Sequence, residues 1–223
     1  MKPKPEIETR KLTEIVFILD RSGSMEDLTQ DTIGGFNSMI QKQKDQNVNA
    51  IVSTVLFDHE AVVLHDRVKI ADIPAMTGNE YWARGTTALY DAVGSSIKHI
   101  GNIHKYAREE DVPNKTLFVI TTDGMENSSK VYTLSKIKKM IENQKNKYNW
   151  EFIFLGADID AISAAREIGI DEDRAVRYKK DSRGTTILYQ TVSDAVAECC
   201  MGEELPEDWK QSLEEDLKQR KDQ

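Results

Sequence analysis

The sequence predicts an α/β fold with a doubly wound, mostly parallel central sheet, one antiparallel edge strand and helices on both faces. Short, apolar, β-branched segments alternate along the chain with segments whose apolar residues recur at helical spacing, which is typical of parallel sheets. Several of the short segments are apolar at nearly every position, as expected for strands buried on both faces. One short segment instead alternates between apolar and polar residues. Only three residues separate it from the strand segment before it, which indicates a hairpin.

The predicted elements follow from these patterns in chain order. The strands are predicted at residues 14–20, 49–57, 61–68, 115–123, 149–157 and 174–178, with 61–68 as the antiparallel edge strand. The helices are predicted at residues 26–45, 88–106, 132–146, 158–168 and 185–200.

We take residues 12–200 as one domain and residues 201–223 as a charged C-terminal tail. The tail is predicted to be helical and to pack on the body of the domain, because Trp209 and Leu213 are four residues apart. A docking segment for a partner is the alternative.

Composition excludes several classes of function. The chain has 223 residues, of which 39% are hydrophobic and 30% charged, as in globular proteins with a core. A net charge of −8 argues against non-specific nucleic-acid binding. No segment reaches the ~20 apolar residues of a membrane span, and residues 1–11 are too polar for a secretory signal. We therefore predict a cytoplasmic protein, with signal-independent export or a lost signal as the alternatives.

The adjacent Cys199 and Cys200 are predicted to be reduced, because a vicinal disulfide is strained.

Oxygen-bearing side chains follow the first predicted strand. Asp20 stands at the strand tip, and Ser22 and Ser24 flank a glycine directly after it. This spacing places three oxygen donors on one side of a tight loop, which suits a hard cation such as Mg²⁺. In a doubly wound sheet, ligands bind at the carboxyl ends of the strands.

Two further segments carry similar donors. The fourth strand ends in a second aspartate, Asp123, followed by a glycine, and Thr86 and Thr87 lie in a loop just before an apolar helix. Each motif has an ordinary structural alternative: Ser24 and Thr87 could cap helices, and Asp123-Gly124 could form a simple turn. Their joint occurrence at the tips of one sheet favours a metal site.

Together these residues resemble the metal-ion-dependent adhesion site of von Willebrand factor A domains, over residues 12–200. The resemblance implies a Rossmann-like von Willebrand A fold in which Asp20, Ser22 and Ser24 bind the metal with Thr87 and Asp123. Thr86 stays open as the alternative to Thr87. It also implies Mg²⁺, or Mn²⁺ or Ca²⁺, with an open coordination position for a Glu or Asp of a partner protein. Intracellular members of this family serve in multiprotein assemblies.

The resemblance implies binding rather than catalysis, so no catalytic residue is predicted. The alternative is a Mg²⁺-dependent phosphatase or other hydrolase of doubly wound fold. That class needs a second carboxylate two positions after Asp20, where this chain has Ser22, and a lysine at a later strand tip. Hydrolysis by a serine would need a histidine base, and no histidine is predicted near a strand tip.

Other residues near these motifs carry weaker signals. Glu126 and Asn127 are expected in a solvated loop, with the rim of the site as the alternative. Tyr81 and Trp82 are expected to pack against the sheet rather than face a partner. The histidines are expected at the surface or at the edge of the core, at positions 59, 65, 99 and 104.

Overall fold

A six-stranded sheet forms the centre of the fold, in the strand order β3-β2-β1-β4-β5-β6. The structure is a computed structural model that describes residues 11–157 and 160–221. The strands are β1 (Thr13–Asp20), β2 (Ala50–Phe57), β3 (Ala61–Lys69), β4 (Lys115–Thr122), β5 (Glu151–Ala157) and β6 (Ala175–Tyr178). Five strands are parallel, and β3 pairs antiparallel with β2 at one edge. The predicted fold class, including the antiparallel edge strand, is confirmed.

Helices cover both faces of the sheet. They are α1 (Thr29–Asp45), α2 (Leu89–Tyr106), α3 (Leu134–Tyr148), α4 (Ala161–Glu167), α5 (Ser182–Met201) and α6 (Gln211–Lys221). Side chains of α1 and α5 share one core with the sheet, and those of α2, α3 and α4 share the other. Within the part of the chain that the structure describes, no helix has the length and apolar character of a membrane span.

The central strand β1 shows why the strand segments are apolar at nearly every position. Ile15, Phe17 and Leu19 face the core with α1 and α5, whereas Val16 and Ile18 face the opposite core. Since successive side chains point to opposite sides of a sheet, a strand with helices on both faces buries all of them.

The boundaries of several helices differ from the prediction. The first helix begins at Thr29 rather than at residue 26, because residues Gly23–Leu28 form a 3-10 helix. The third helix runs to Tyr148, where Asn149 ends it in the left-handed conformation with φ of 54°. In the predicted helix 158–168, Asp158 and Ile159 lie outside the described residues. Residues 1–10, whose polar character contributes to the prediction of a cytoplasmic location, also lie outside the described residues.

The chain after residue 201 folds back on the body. Leu213 of α6 is buried in the core shared by α1 and α5. The Trp209 indole donates a hydrogen bond to the Asp173 carbonyl at 2.8 Å. These contacts are those expected of a tail that packs on the domain, and the division at residue 200 stays a prediction.

Neighbouring glycines in α1 provide a matched test of the packing between α1 and α5. A Cβ added at Gly34 would meet nothing within 4 Å, whereas one at Gly35 would lie 2.2 Å from the Tyr189 ring. We expect Gly34→Ala to raise the free energy of unfolding by about 0.5–1 kcal/mol, because alanine favours the helix. Gly35→Ala is expected to lower it by about 1–3 kcal/mol through overpacking. Urea denaturation measures both, and equal effects would contradict the close approach of the helices.

Candidate metal site

The five residues predicted to bind metal come from three segments that meet at the carboxyl edge of the sheet. Asp20 is the last residue of β1, and Ser22 and Ser24 lie in the turn after it. Asp123 follows β4 directly, and Thr87 precedes α2. Because β1 and β4 are parallel neighbours, their tips lie side by side at the point where the strand order reverses.

Asp20 is fixed by hydrogen bonds to both of its carboxylate oxygens. Its Oδ1 accepts the Ser22 backbone N–H at 2.7 Å, and its Oδ2 accepts the Thr122 hydroxyl at 2.6 Å. The side chain is only 1% exposed. Burial raises the pKa of Asp20 to about 6, because these hydrogen bonds offset only part of the cost and the charge of Asp123 adds to it.

A chain of hydrogen bonds joins the first loop to the second carboxylate. The Ser22 and Ser24 hydroxyls lie 3.1 Å apart, and the Ser24 hydroxyl donates to Asp123 Oδ1 at 2.6 Å. Asp123 Oδ2 is buried, and the Lys180 ammonium forms an ion pair with it at 2.9 Å. Two adjacent buried carboxylates, joined to serine hydroxyls by hydrogen bonds, are a donor set that fits a bound cation.

Thr87 rather than Thr86 faces the interior of this edge. Thr87 is 3% exposed, whereas Thr86 is exposed to solvent. A Cβ added at Gly124 would lie 3.2 Å from the Thr87 hydroxyl, so this hydroxyl is next to the loop that carries Asp123. A hydrogen bond from the Gly23 backbone to the Gly85 carbonyl, at 3.1 Å, ties the threonine loop to the serine loop.

The alternative capping roles of Ser24 and Thr87 are not found. Ser22 is the N-cap of the 3-10 helix that contains Ser24, and its side chain makes no capping hydrogen bond. Ala88, not Thr87, is the N-cap of α2. Neither Ser24 nor Thr87 is therefore the N-cap residue of a helix.

Glu126 and Asn127 hold the loop after β4 against the start of α2, a role that the sequence did not reveal. Glu126 accepts hydrogen bonds from the backbone of Tyr90 at 2.9 Å and of Ser129 at 2.7 Å. Asn127 exchanges hydrogen bonds with the Thr87 backbone, at 2.9 and 3.0 Å. These contacts fix Thr87 and Asp123 relative to each other.

Tyr81 and Trp82 differ in their exposure. Tyr81 is fully buried, as expected, and its hydroxyl donates to the Asp20 carbonyl at 2.5 Å. Trp82 is 43% exposed, contrary to the expectation. The guanidinium groups of Arg21 and Arg84 lie 5.1 and 5.7 Å from its ring centroid, within range of cation–π contact. Trp82 and Arg84 thus form an exposed basic and aromatic rim beside the threonine loop.

Asp58, in the short connection between β2 and β3, is a structural residue of this edge. It is fully buried, and its Oδ2 accepts Arg21 Nε at 2.9 Å and Arg84 Nε at 2.8 Å. Burial alone would raise the pKa of Asp58, but the hydrogen bonds from Arg84 and from the Glu60 backbone, with the charge of Arg21, lower it. Asp58 follows β2 directly, so inspection of every strand tip would have found it.

The position of His59 shows that the expectation of no histidine near a strand tip is wrong. It lies two residues after β2, so a histidine does occur near a strand tip. Its Nδ1 lies 3.0 Å from Asp58 Oδ1, and the ring packs beside Gly85. In residues 11–157 and 160–221, no hydrogen bond links His59 to Ser22 or Ser24, so it is not placed as a base for either serine.

The chemistry of the site favours a hard cation. The structure, over its described ranges, contains no group of three His, Cys, Asp or Glu side chains that could hold a metal ion. The candidate site instead combines two carboxylates with three hydroxyls, a donor set without nitrogen or sulfur. Hard cations such as Mg²⁺, Mn²⁺ and Ca²⁺ prefer oxygen ligands and complete their shell with water.

Comparison with solved structures identifies the fold. The von Willebrand factor domain of the pilus tip protein Mfa5 from Porphyromonas gingivalis aligns with a TM-score of 0.64 at 10% identity, covering 88% of this chain and 99% of that one. The PilB minor pilin of Streptococcus sanguinis aligns with a TM-score of 0.62 at 12% identity, covering 87% and 63%. The chain thus has a von Willebrand factor A-type fold.

A third similar structure has an occupied metal site. Proximal thread matrix protein 1 of the mussel byssus, with a zinc-occupied MIDAS motif, aligns with a TM-score of 0.61 at 18% identity, covering 86% of this chain and 46% of that one. This chain spans less than two thirds of both the pilin and the matrix protein. By sequence, no family model and no curated protein matches it.

Proposed function

We propose that this chain is a protein-binding module that captures an acidic residue of a partner through a divalent cation at the carboxyl edge of its sheet. The observation that carries the proposal is the convergence of two aspartates and three hydroxyl residues at the tips of β1 and β4. The hydrogen bond from the Ser24 hydroxyl to Asp123 Oδ1, at 2.6 Å, brings two of the three segments into direct contact.

Each residue of the site has a role in this proposal. Asp20, Ser22, Ser24, Thr87 and Asp123 would hold the cation, directly or through water. Serine and threonine hydroxyls are neutral ligands, so a cation held mainly by them would retain most of its charge and attract a carboxylate. We propose Mg²⁺, with Mn²⁺ or Ca²⁺ as alternatives, from the oxygen donors. The zinc in the mussel protein supports a divalent cation at such a site without specifying Mg²⁺.

The partner is proposed to be a protein that presents a Glu or Asp side chain. Pilus and byssus proteins with the same fold support a role in protein binding. The exposed Trp82 and the half-exposed Arg84 would contact the partner around the captured carboxylate, since aromatic and arginine side chains are enriched at interfaces. A cytoplasmic location stays a prediction.

The competing hypothesis of a phosphatase has one feature in its favour. Lys180 lies at the tip of β6 and contacts Asp123, as a doubly wound phosphatase would require. However, both oxygens of the buried Asp20 are engaged in hydrogen bonds, and Ser22 stands where that class needs a general acid. We expect no hydrolysis of p-nitrophenyl phosphate with Mg²⁺ above that of the Asp20→Asn variant.

Water-proton relaxation with Mn²⁺ tests the proposed function directly, because it reports the waters that remain on the bound ion. The protein is treated with chelator, loaded with Mn²⁺ and titrated with a short peptide that contains one glutamate. We expect the relaxation enhancement to fall as the carboxylate displaces water. The same peptide with glutamine should leave it unchanged.

A variant of the hydroxyl ligands provides the control. The double variant Ser22→Ala/Ser24→Ala keeps both carboxylates and should bind Mn²⁺ at least about tenfold more weakly, or about 1.4 kcal/mol. Mn²⁺ binding that is unaffected by this variant, or an equal response to the two peptides, would refute capture of a carboxylate at this site.

A further inference from the structure

Lys180 places an ammonium group against the candidate metal site. Its Nζ lies 2.9 Å from Asp123 Oδ2 and donates a hydrogen bond to the Ser24 carbonyl at 2.5 Å. The Asp123 carboxylate in this pair is fully buried, and the Lys180 side chain is 27% exposed. The lysine therefore contacts one proposed ligand through its carboxylate and another through its backbone.

The backbone around Lys180 is fixed by its neighbours. The Asp181 side chain accepts the Gly184 N–H at 2.8 Å and so caps α5. Arg220 of α6 forms an ion pair with Asp181. A Cβ added at Gly184 would lie 2.0 Å from the Lys179 carbonyl, so the turn is too tight for a larger residue there. These contacts hold the start of the lysine side chain in place beside the site.

The charges of the two proposed carboxylate ligands and of Lys180 give the lysine an effect on cation binding. Among these three side chains, Asp20 and Asp123 contribute two negative charges, and Lys180 contributes one positive charge. A divalent cation would make the sum positive by one unit, and repulsion between it and the ammonium opposes its binding. A partner carboxylate would return the sum to zero.

We propose that Lys180 acts as an internal cation that competes with the divalent metal for Asp123 and lowers the affinity of the partner-free site for metal. This inference rests on the proposed function, because it concerns the same site. It adds a residue outside the five proposed ligands that sets how strongly metal is held.

Calorimetric titration with Mn²⁺ after chelator treatment tests this role. Lys180→Met removes the charge and keeps the length of the side chain, and it should bind Mn²⁺ at least about tenfold more tightly than the wild type, or about 1.4 kcal/mol. Lys180→Gln should show the same direction, and Lys180→Arg should stay close to the wild type. The matched control is Lys139→Met, which removes the same charge from an exposed position in α3 that lines a groove with Trp150 at the amino end of β5.

The outcomes separate this inference from the proposed function. Tighter binding by Lys180→Met and Lys180→Gln, with Lys139→Met unchanged, supports the role of Lys180, even if the wild type binds too weakly to measure. Equal binding by the wild type and both neutral variants overturns the role of Lys180 and leaves the metal site standing. Failure of all variants to bind Mn²⁺ overturns both proposals.

Discussion

Replacing Asp20 by asparagine is expected to abolish the stabilisation that Mg²⁺ or Mn²⁺ gives the wild-type protein. A ligand that binds only the native state at a concentration of 100 Kd adds about 2.7 kcal/mol to the free energy of unfolding. The variant should gain none of it, because asparagine removes one of only two carboxylates at the site. Melting temperatures of chelator-treated protein, titrated with each metal, measure the difference.

Without metal, the same substitution should act in the opposite direction. Burial raises the pKa of Asp20 from 3.8 to about 6, so its ionisation costs the native state on the order of 3 kcal/mol at neutral pH. Asparagine keeps the shape and carries no charge, and it can still accept the Ser22 N–H through its carbonyl oxygen. The metal-free variant is therefore expected to be at least as stable as the wild type at pH 7. An Asp20→Asn protein that is destabilised without metal would contradict this account.

The pH dependence of the metal-free protein follows from the direction of this shift. Between about pH 4 and pH 6 the native state binds a proton at Asp20 that the unfolded chain has already released. The contribution of Asp20 to stability is therefore complete below pH 4 and is lost as the pH rises through 6. The difference in stability between the wild type and Asp20→Asn, measured by urea denaturation across this range, should show that loss.

Much of the fold could be predicted because burial on both faces leaves a clear pattern. Strand β1 is apolar from Ile15 to Leu19, and the connection Asp58-His59-Glu60 is too short for a crossover to a parallel strand. The start of α1 could not be predicted, since a 3-10 helix and an α-helix bury apolar residues such as Met25 and Leu28 equally well. Local hydrogen bonding, not hydrophobic spacing, decides between them.

Local sequence could indicate only those candidate site residues that lie next to a strand or just before a helix. Asp20 and Asp123 stand at strand tips, and the parallel pairing of β1 and β4 makes the tips neighbours. The contacts of Lys180 with Asp123, and those of Glu126 with the start of α2, join segments that are far apart in the chain. No local spacing encodes such contacts, so their roles required the structure.

Removing the carboxylate of Asp58 is expected to be the most destabilising single change at this edge of the sheet. Arg21 is 2% exposed, and its Nε depends on Asp58 Oδ2 at 2.9 Å. Asp58→Ala would leave a buried guanidinium without its ionic partner, which typically costs about 3–5 kcal/mol. The Asp58 backbone also accepts the Ala88 N–H at 2.7 Å, so the threonine loop before α2 should loosen as well. Urea denaturation at pH 7 measures the loss of stability.

Two comparisons distinguish a lost ion pair from a simple cavity. Arg84→Ala removes the half-exposed partner of the same carboxylate and should cost far less than Asp58→Ala, because Arg21 keeps its pair. The double variant Asp58→Ala/Arg21→Met removes both buried charges and should recover a large part of the loss. If the double variant is as unstable as the sum of the single variants, the penalty comes from lost packing, and Asp58 does not act through the charge of Arg21.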